Sequence, residues 1–346
     1  MFLPAAADPL SPSIDSVGTP TLWAVTIGAV VVLLVLDFLI TRRPHEVSMK
    51  EALGWSAFYV ALPLAFGGYV WQRFGSERGL EYLTGYLVEK SLSVDNLFVF
   101  MLLLGAFAVP RALQQRVLLY GIIGALVLRA IFIALGAAAL SRFDWMFLVF
   151  GLVLVATAVK ILRDALTGAA HHVEVDQIRS VRFVRRFMPV TDAYDGTRMT
   201  GLVDGRRALT PFALVVLAVL ATDIVFAVDS VPAVYGITGD PFLVFATNAF
   251  ALLGLRALYF VLEGALSKLV HLGYGLAAIL GFIGAKLALH WAHMRWSDVP
   301  EIPTLLSLGV IVTILVITTV SSLVASRRAS REAGSETSAT TPTLHR

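Results

Sequence analysis

Leu209-Thr-Pro-Phe-Ala-Leu-Val-Val-Leu-Ala-Val-Leu-Ala-Thr-Asp223-Ile-Val-Phe-Ala-Val-Asp229-Ser230-Val-Pro232-Ala-Val-Tyr-Gly236 decides the class of this chain. The run is long enough to cross a hydrocarbon core of roughly 30 Å, yet it holds two aspartates well inside. A second run, 80–105, is built in the same way around Glu89-Lys-Ser-Leu-Ser-Val-Asp95-Asn96. In both, an acid is followed six residues later by Val-Asp and a small polar residue, Asn96 or Ser230 (95 − 89 = 6; 229 − 223 = 6).

The likeness continues downstream and in the same order. Leu128-Arg129-Ala130-Ile131-Phe132 matches Leu255-Arg256-Ala257-Leu258-Tyr259, and Val159-Lys160-Ile161 matches Ala285-Lys286-Leu287. Nine apolar stretches can be marked: 21–40, 53–71, 80–105, 115–140, 143–162, 209–236, 242–264, 269–291 and 303–325. Spans three to five therefore pair with spans six to eight. Because each unit has an odd number of spans, the second enters the membrane upside down, which is the plan of secondary transporters with midplane sites.

Composition agrees. The 346 residues are 58% hydrophobic and 15% charged, with a mean hydropathy of +0.80. Lipid admits only helices or closed barrels, and barrel alternation is missing, so the expected fold is all-α: a polytopic helical membrane protein of about nine spans. The organisation reads as an extracytoplasmic segment 1–20, a first transmembrane half 21–162, a basic loop 163–207, a second half 208–325 and a disordered tail 326–346. The first 20 residues carry no base ahead of the apolar run, so a cleaved leader is not expected and the first span stays. The arginines of the central loop assign it to the cytoplasm by the positive-inside rule, and alternation then puts the N-terminus outside and the C-terminus inside a bacterial plasma membrane. A pI near 9.2 here reflects topology, since the bases sit between spans and form no patch for nucleic acid. Cysteine is absent, which excludes disulfides, thiolate metal sites and thiol redox chemistry by the chain itself.

Glu89, Asp95, Asp223 and Asp229 carry the functional signal. An ionised carboxylate at a helix centre costs about 2.5–3.5 kcal/mol on insertion scales, so four together cost on the order of 10–14 kcal/mol. Protonation, the intramembrane cations Arg129, Arg256, Lys160 and Lys286, or a bound metal ion could offset this. At 100° per residue, positions 89, 93 and 96 share one face, as do 223, 227 and 230, while Asp95 and Asp229 point elsewhere. Two arrangements follow. Either Glu89, Asn96, Asp223 and Ser230 face one another, with Asp95 and Asp229 paired to Arg129 and Arg256, or the helices bend locally, as Pro232 would cause by freeing the Val228 carbonyl beside Asp229. Hard oxygen donors suit Mn²⁺, Mg²⁺ or Ca²⁺ rather than copper or zinc. Asp37 reads as interfacial, His171-His172-Val-Glu174-Val-Asp176 as a solvated loop, and Gly121, Gly124, Gly136, Gly151, Gly281 and Gly284 as points of close helix packing.

These segments resemble the TerC family of integral membrane proteins, named for tellurium resistance and related to the LysE-type exporters. The resemblance rests on Arg42-Arg-Pro-His-Glu46, Glu81-Tyr-Leu-Thr-Gly-Tyr86, Glu89 to Phe100, Arg185-Arg-Phe-Met-Pro189, Thr222 to Pro232, Asp240-Pro241 and Leu253-Gly-Leu-Arg-Ala-Leu-Tyr-Phe260. It implies manganese export, with Glu89, Asp95, Asp223 and Asp229 as the ion-handling positions; some members are linked instead to membrane-protein assembly or to metallation of secreted enzymes. Many relatives have an acid where this chain has Leu220. The expectation is a transporter, not an enzyme, that exports a divalent metal ion, Mn²⁺, by alternating access with proton coupling. Asn96 and Ser230 would add neutral ligands, and no permanent cofactor is expected. The alternatives are an assembly or metallation partner without an ion path and, further off, a tellurite-resistance component.

Overall fold

A computed structural model describes residues 16–40, 48–167, 189–191, 193–203, 206–262, 271–296 and 298–339. The elements are α1 (Pro20–Ile40), α2 (Met49–Phe74), α3 (Ser76–Ala106), α4 (Arg111–Leu140), α5 (Met146–Thr167), β1 (Thr200–Val203), β2 (Arg206–Leu209), α6 (Pro211–Tyr235), α7 (Pro241–Leu253), α8 (Leu255–Leu262), α9 (Leu272–Arg295) and α10 (Thr304–Ala339). Helix starts follow local chemistry. Ser48, Thr210 and Asp240 accept from the amides of Glu51, Ala213 and Phe242, and proline opens both α6 and α7.

Seven described helices are long and apolar enough to cross a membrane, and α7 with α8 forms an eighth candidate bent by 44°. The expected span missing from these eight is the third, α3, which has the length at 31 residues but carries Glu77, Arg78, Glu81, Glu89, Lys90 and Asp95. The outer surface of the bundle is apolar: Val31, Val35, Leu152, Val159, Val316 and Val320 are all exposed. A surface of this kind is stable only against lipid. The chain is a multi-pass helical membrane protein.

Three features depart from the expected layout. The seventh span is broken at Gly254 between α7 and α8. The end of the 163–207 loop forms an antiparallel hairpin, with Thr200 opposite Leu209 and Val203 opposite Arg206, where an all-α fold was expected. The last helix continues to Ala339, into the segment read as disordered; Arg, Ala and Glu there are good helix formers even with little to bury. At the hairpin end, the Tyr194 hydroxyl donates to the Phe107 carbonyl at 2.7 Å, and burial pushes its pKa up to about 12. That donor therefore stays protonated through physiological pH.

α3 packs directly on α6, and the two are antiparallel. A Cβ on Gly85 would lie 3.2 Å from Val234, while further along α3 the Phe100 ring lies 6.4 Å from that of Phe226. The remaining contacts come in the pairs that two inverted units require: α3 with α7 mirrors α6 with α4, and α3 with α9 mirrors α6 with α5. α5 meets its counterpart α9 at two glycines. A Cβ on Gly151 would sit 2.8 Å from the Gly284 carbonyl, and one on Gly284 would sit 2.8 Å from the Gly151 carbonyl. Gly121, Gly124 and Gly136 admit Val219, Leu220 and Tyr235 of α6 in the same way.

Candidate ion site within the membrane

Burial along α3 and α6 follows the helical geometry. Glu89, Ser93 and Asn96 are buried on one face of α3, and Asp223, Ala227 and Ser230 on one face of α6, whereas Asp95 and Asp229 are half-buried. The two buried faces meet on Arg129 of α4, whose side chain is 0% exposed. Its Nη1 donates to Glu89 Oε1 and, at 3.0 Å, to Asn248 Oδ1 of α7. Its Nη2 donates to Asp223 Oδ1 at 3.3 Å. With the Asn96 amide oriented to satisfy both its ends, its oxygen accepts from Arg129 Nη2 at 3.1 Å and its nitrogen donates to the Leu92 carbonyl. Four helices and both repeats converge on one guanidinium.

The pairing is incomplete. Glu89 Oε2, Asp223 Oδ2, Ser93 Oγ and Ser230 Oγ are buried and have no hydrogen-bond partner among the described residues. Buried polar atoms are ordinarily satisfied, and a buried carboxylate oxygen left alone is costly. Arg129 supplies one positive charge against the two of Glu89 and Asp223, and Asp229 lies within electrostatic reach of both Arg129 and Asp95. The cluster therefore keeps a surplus of negative charge and hard oxygen donors. Among the described residues, no group of three or more His, Asp or Glu side chains stands close enough to enclose a metal ion. In this state a guanidinium holds the two central carboxylates instead.

The other expected cations behave differently. Arg256 reaches no motif acid: its Nη2 donates to Asp37 of α1, and its Nη1 donates to Gln115 of α4 at 3.2 Å. Asp37, read as interfacial, is only 4% exposed, because α1 covers α7 and brings its polar end onto the broken helix. Lys160 is exposed, so it cannot neutralise a buried acid. Lys286 is half-buried and lines a 710 Å³ cavity at the end away from the hairpin, together with Glu81, Asp240, His290 and Glu301. Pro232 does not break its helix: α6 is continuous through it and ends three residues later, so the lost bond falls in the last turn. The His171 to Asp176 cluster lies outside the described residues. Asn248 and Ser93 were not anticipated; an amide inside the apolar run 242–264, and a hydroxyl on the face shared by positions 89 and 96, were the available signals.

Residues 74–330 match the family described as integral membrane protein TerC family. The chain belongs to the TerC family. A Myxococcus xanthus relative, "Uncharacterized membrane protein STKORF319", is 45% identical over 89% of this chain and 93% of its own. The Escherichia coli K12 protein "Putative membrane-bound redox modulator Alx" is 41% identical, covering 88% and 94%. "Uncharacterized membrane protein Rv2723" of Mycobacterium tuberculosis is 43% identical, covering 87% and 78%. No solved structure matches the chain. The central arginine and its carboxylates, on α3, α4 and α6, all fall within the TerC match.

Proposed function

We propose that this TerC protein is a membrane transporter that exports a divalent metal ion, Mn²⁺ before others, from the cytoplasm by alternating access. One observation carries the reading. Glu89 and Asp223, at equivalent places of two inverted units, meet on one buried guanidinium, and each keeps an oxygen without a partner. An oxygen-only set without thiolate or imidazole suits a hard divalent cation. Asp95 and Asp229, half-buried beside this pair, are the carboxylates that would take the ion from water. Asn96, Ser230 and Ser93 would contribute neutral oxygens.

Arg129 acts as the internal cation that offsets part of the site's negative charge when it is empty of substrate. An arriving divalent ion must displace it, and protons taken up by the carboxylates weaken the ion's hold and favour release. Proton coupling follows from that exchange. The orientation that fits the loop charges has the hairpin end in the cytoplasm, the N-terminus outside, and the protein in the bacterial plasma membrane. If the chain shares the role that Alx is named for, it does so without thiols of its own, since it contains no cysteine.

The experiment is elemental analysis of a manganese-sensitive host with and without this chain. Lower intracellular manganese with other metals unchanged supports export. Unchanged metal with an altered set of membrane proteins would overturn it in favour of an assembly role.

A further inference from the structure

The two repeats carry their arginines on unlike helices, and the sequence contains the reason. α4 is continuous through Arg129, whereas its counterpart breaks at Gly254, two residues before Arg256; the residue equivalent to Gly254 in α4 is Val127. At the break the Gly254 amide turns back to Leu252 O, and the neighbouring carbonyl, Ala251 O, accepts from Lys90 Nζ at 3.2 Å. Regular pairing resumes when the Leu258 amide donates to Gly254 O at 3.1 Å. An ammonium at a helix C-terminus is favoured both as a cap and by the helix dipole. In the other repeat the residue equivalent to Lys90 is Ile224, which is exposed and can cap nothing. A side chain at position 254 would also meet Tyr59 Cβ at 2.9 Å and Lys90 Nζ at 3.1 Å, so the break, the lysine and the glycine fit one another.

We propose that Lys90 is a positioning residue, the latch of a hinge at Gly254: by capping Ala251 O it keeps α8 bent and Arg256 on Asp37, away from the carboxylates that Arg129 occupies. Without the latch, the Ala251 carbonyl regains its partner most simply by closing the break, so that the second repeat takes the continuous form of the first. α8 has eight residues, about 12 Å of helix, so straightening the 44° bend moves its far end by about 9 Å and the backbone at Arg256, two residues past the break, by only about 2 Å. That shift parts Arg256 from Asp37, and its freed guanidinium becomes available to the cluster as a second internal cation. This last step rests on the ion-export reading; the hinge does not.

The absence of native cysteine makes the test direct. Leu53→Cys on α2 and Val261→Cys on α8 are spin-labelled in the full chain in lipid, and their separation is measured by pulsed electron resonance. Lys90→Met is expected to give a second, discrete distance displaced by several ångströms, and Lys90→Arg to keep the parent distance. A lysine that merely stabilises the fold would instead broaden the distribution or lower the yield. A parent distance in well-inserted Lys90→Met overturns the proposal. Should Lys90→Met fail to insert, Lys90→Gln, a neutral side chain one atom too short to cap Ala251 O, carries the same expectation and the same refutation. In manganese flux, Lys90→Met should raise KM roughly tenfold with little change in kcat, because a competing arginine reduces the fraction of sites open to the ion. A displaced distance with an unchanged KM overturns the role of Arg256 as a second internal cation. A parent protein that moves no manganese overturns the export reading while the distance still judges the hinge.

Discussion

Arg129→Gln removes the charge that holds the two repeats together while keeping a shorter side chain that can still hydrogen-bond. Arg129 and Glu89 are 0% exposed and Asp223 1%, so solvent screens neither pair. Breaking a buried pair by deleting one partner costs about 3–5 kcal/mol, because the other charge is left in low dielectric. At about 2 °C per kcal/mol for a chain of this size, the unfolding midpoint in detergent should fall by about 6–10 °C. Two controls separate charge from shape. Adding Glu89→Gln to Arg129→Gln should recover part of the loss, since one of the stranded carboxylates goes with it. Manganese should raise the midpoint of Arg129→Gln more than that of the parent, because the ion no longer competes with a guanidinium. At a hundred times its Kd, the ion adds about 2.7 kcal/mol. A parent-like midpoint for Arg129→Gln, or a further full loss on adding Glu89→Gln, would refute the idea that Arg129 neutralises these acids.

Further outcomes follow from the same geometry. Asp95→Asn and Asp229→Asn should abolish manganese efflux from loaded cells at matched membrane levels, since a neutral amide is cheaper to insert but cannot hold a divalent ion; Ser230→Ala should weaken efflux only partly. Asp37→Asn and Arg256→Gln should each cost about 3–5 kcal/mol, and the double variant much less than their sum, as measured by thermal unfolding. Gly151→Ala should destabilise by about 1–3 kcal/mol, because its Cβ would meet the Gly284 carbonyl at 2.8 Å, whereas Gly28→Ala, with nothing within 4 Å, should be silent in the same assay.

What the sequence revealed, and what it hid, divides along physical lines. Acids inside apolar runs are expensive in lipid, so Glu89, Asp95, Asp223 and Asp229 stood out, and their shared spacing implied that α3 and α6 meet as inverted counterparts. Helical periodicity separated the buried faces of 89 and 223 from the half-buried Asp95 and Asp229. The partners were less legible. Leu-Arg-Ala reads alike in both repeats, yet Arg129 turns to the carboxylates and Arg256 to Asp37, because a helix outside the repeat supplies the competing acid. Nothing local to Asp37 announces a partner more than 200 residues away. The break at Gly254 was written in two residues far apart in sequence, the glycine itself and Lys90, and only packing joins them. The hairpin at 200–209 was missed because the basic loop was read by charge alone.

The central claim is that the carboxylates around Arg129 pass a divalent cation across the membrane. Purified protein in liposomes, with a manganese-sensitive dye inside and a pH difference imposed across the bilayer, tests it without the rest of the cell. The account predicts manganese entry that speeds up when protons can move the opposite way, and that disappears in Asp229→Asn at equal reconstitution. Manganese entry no faster than in empty liposomes, or equal entry with Asp229→Asn, would contradict it.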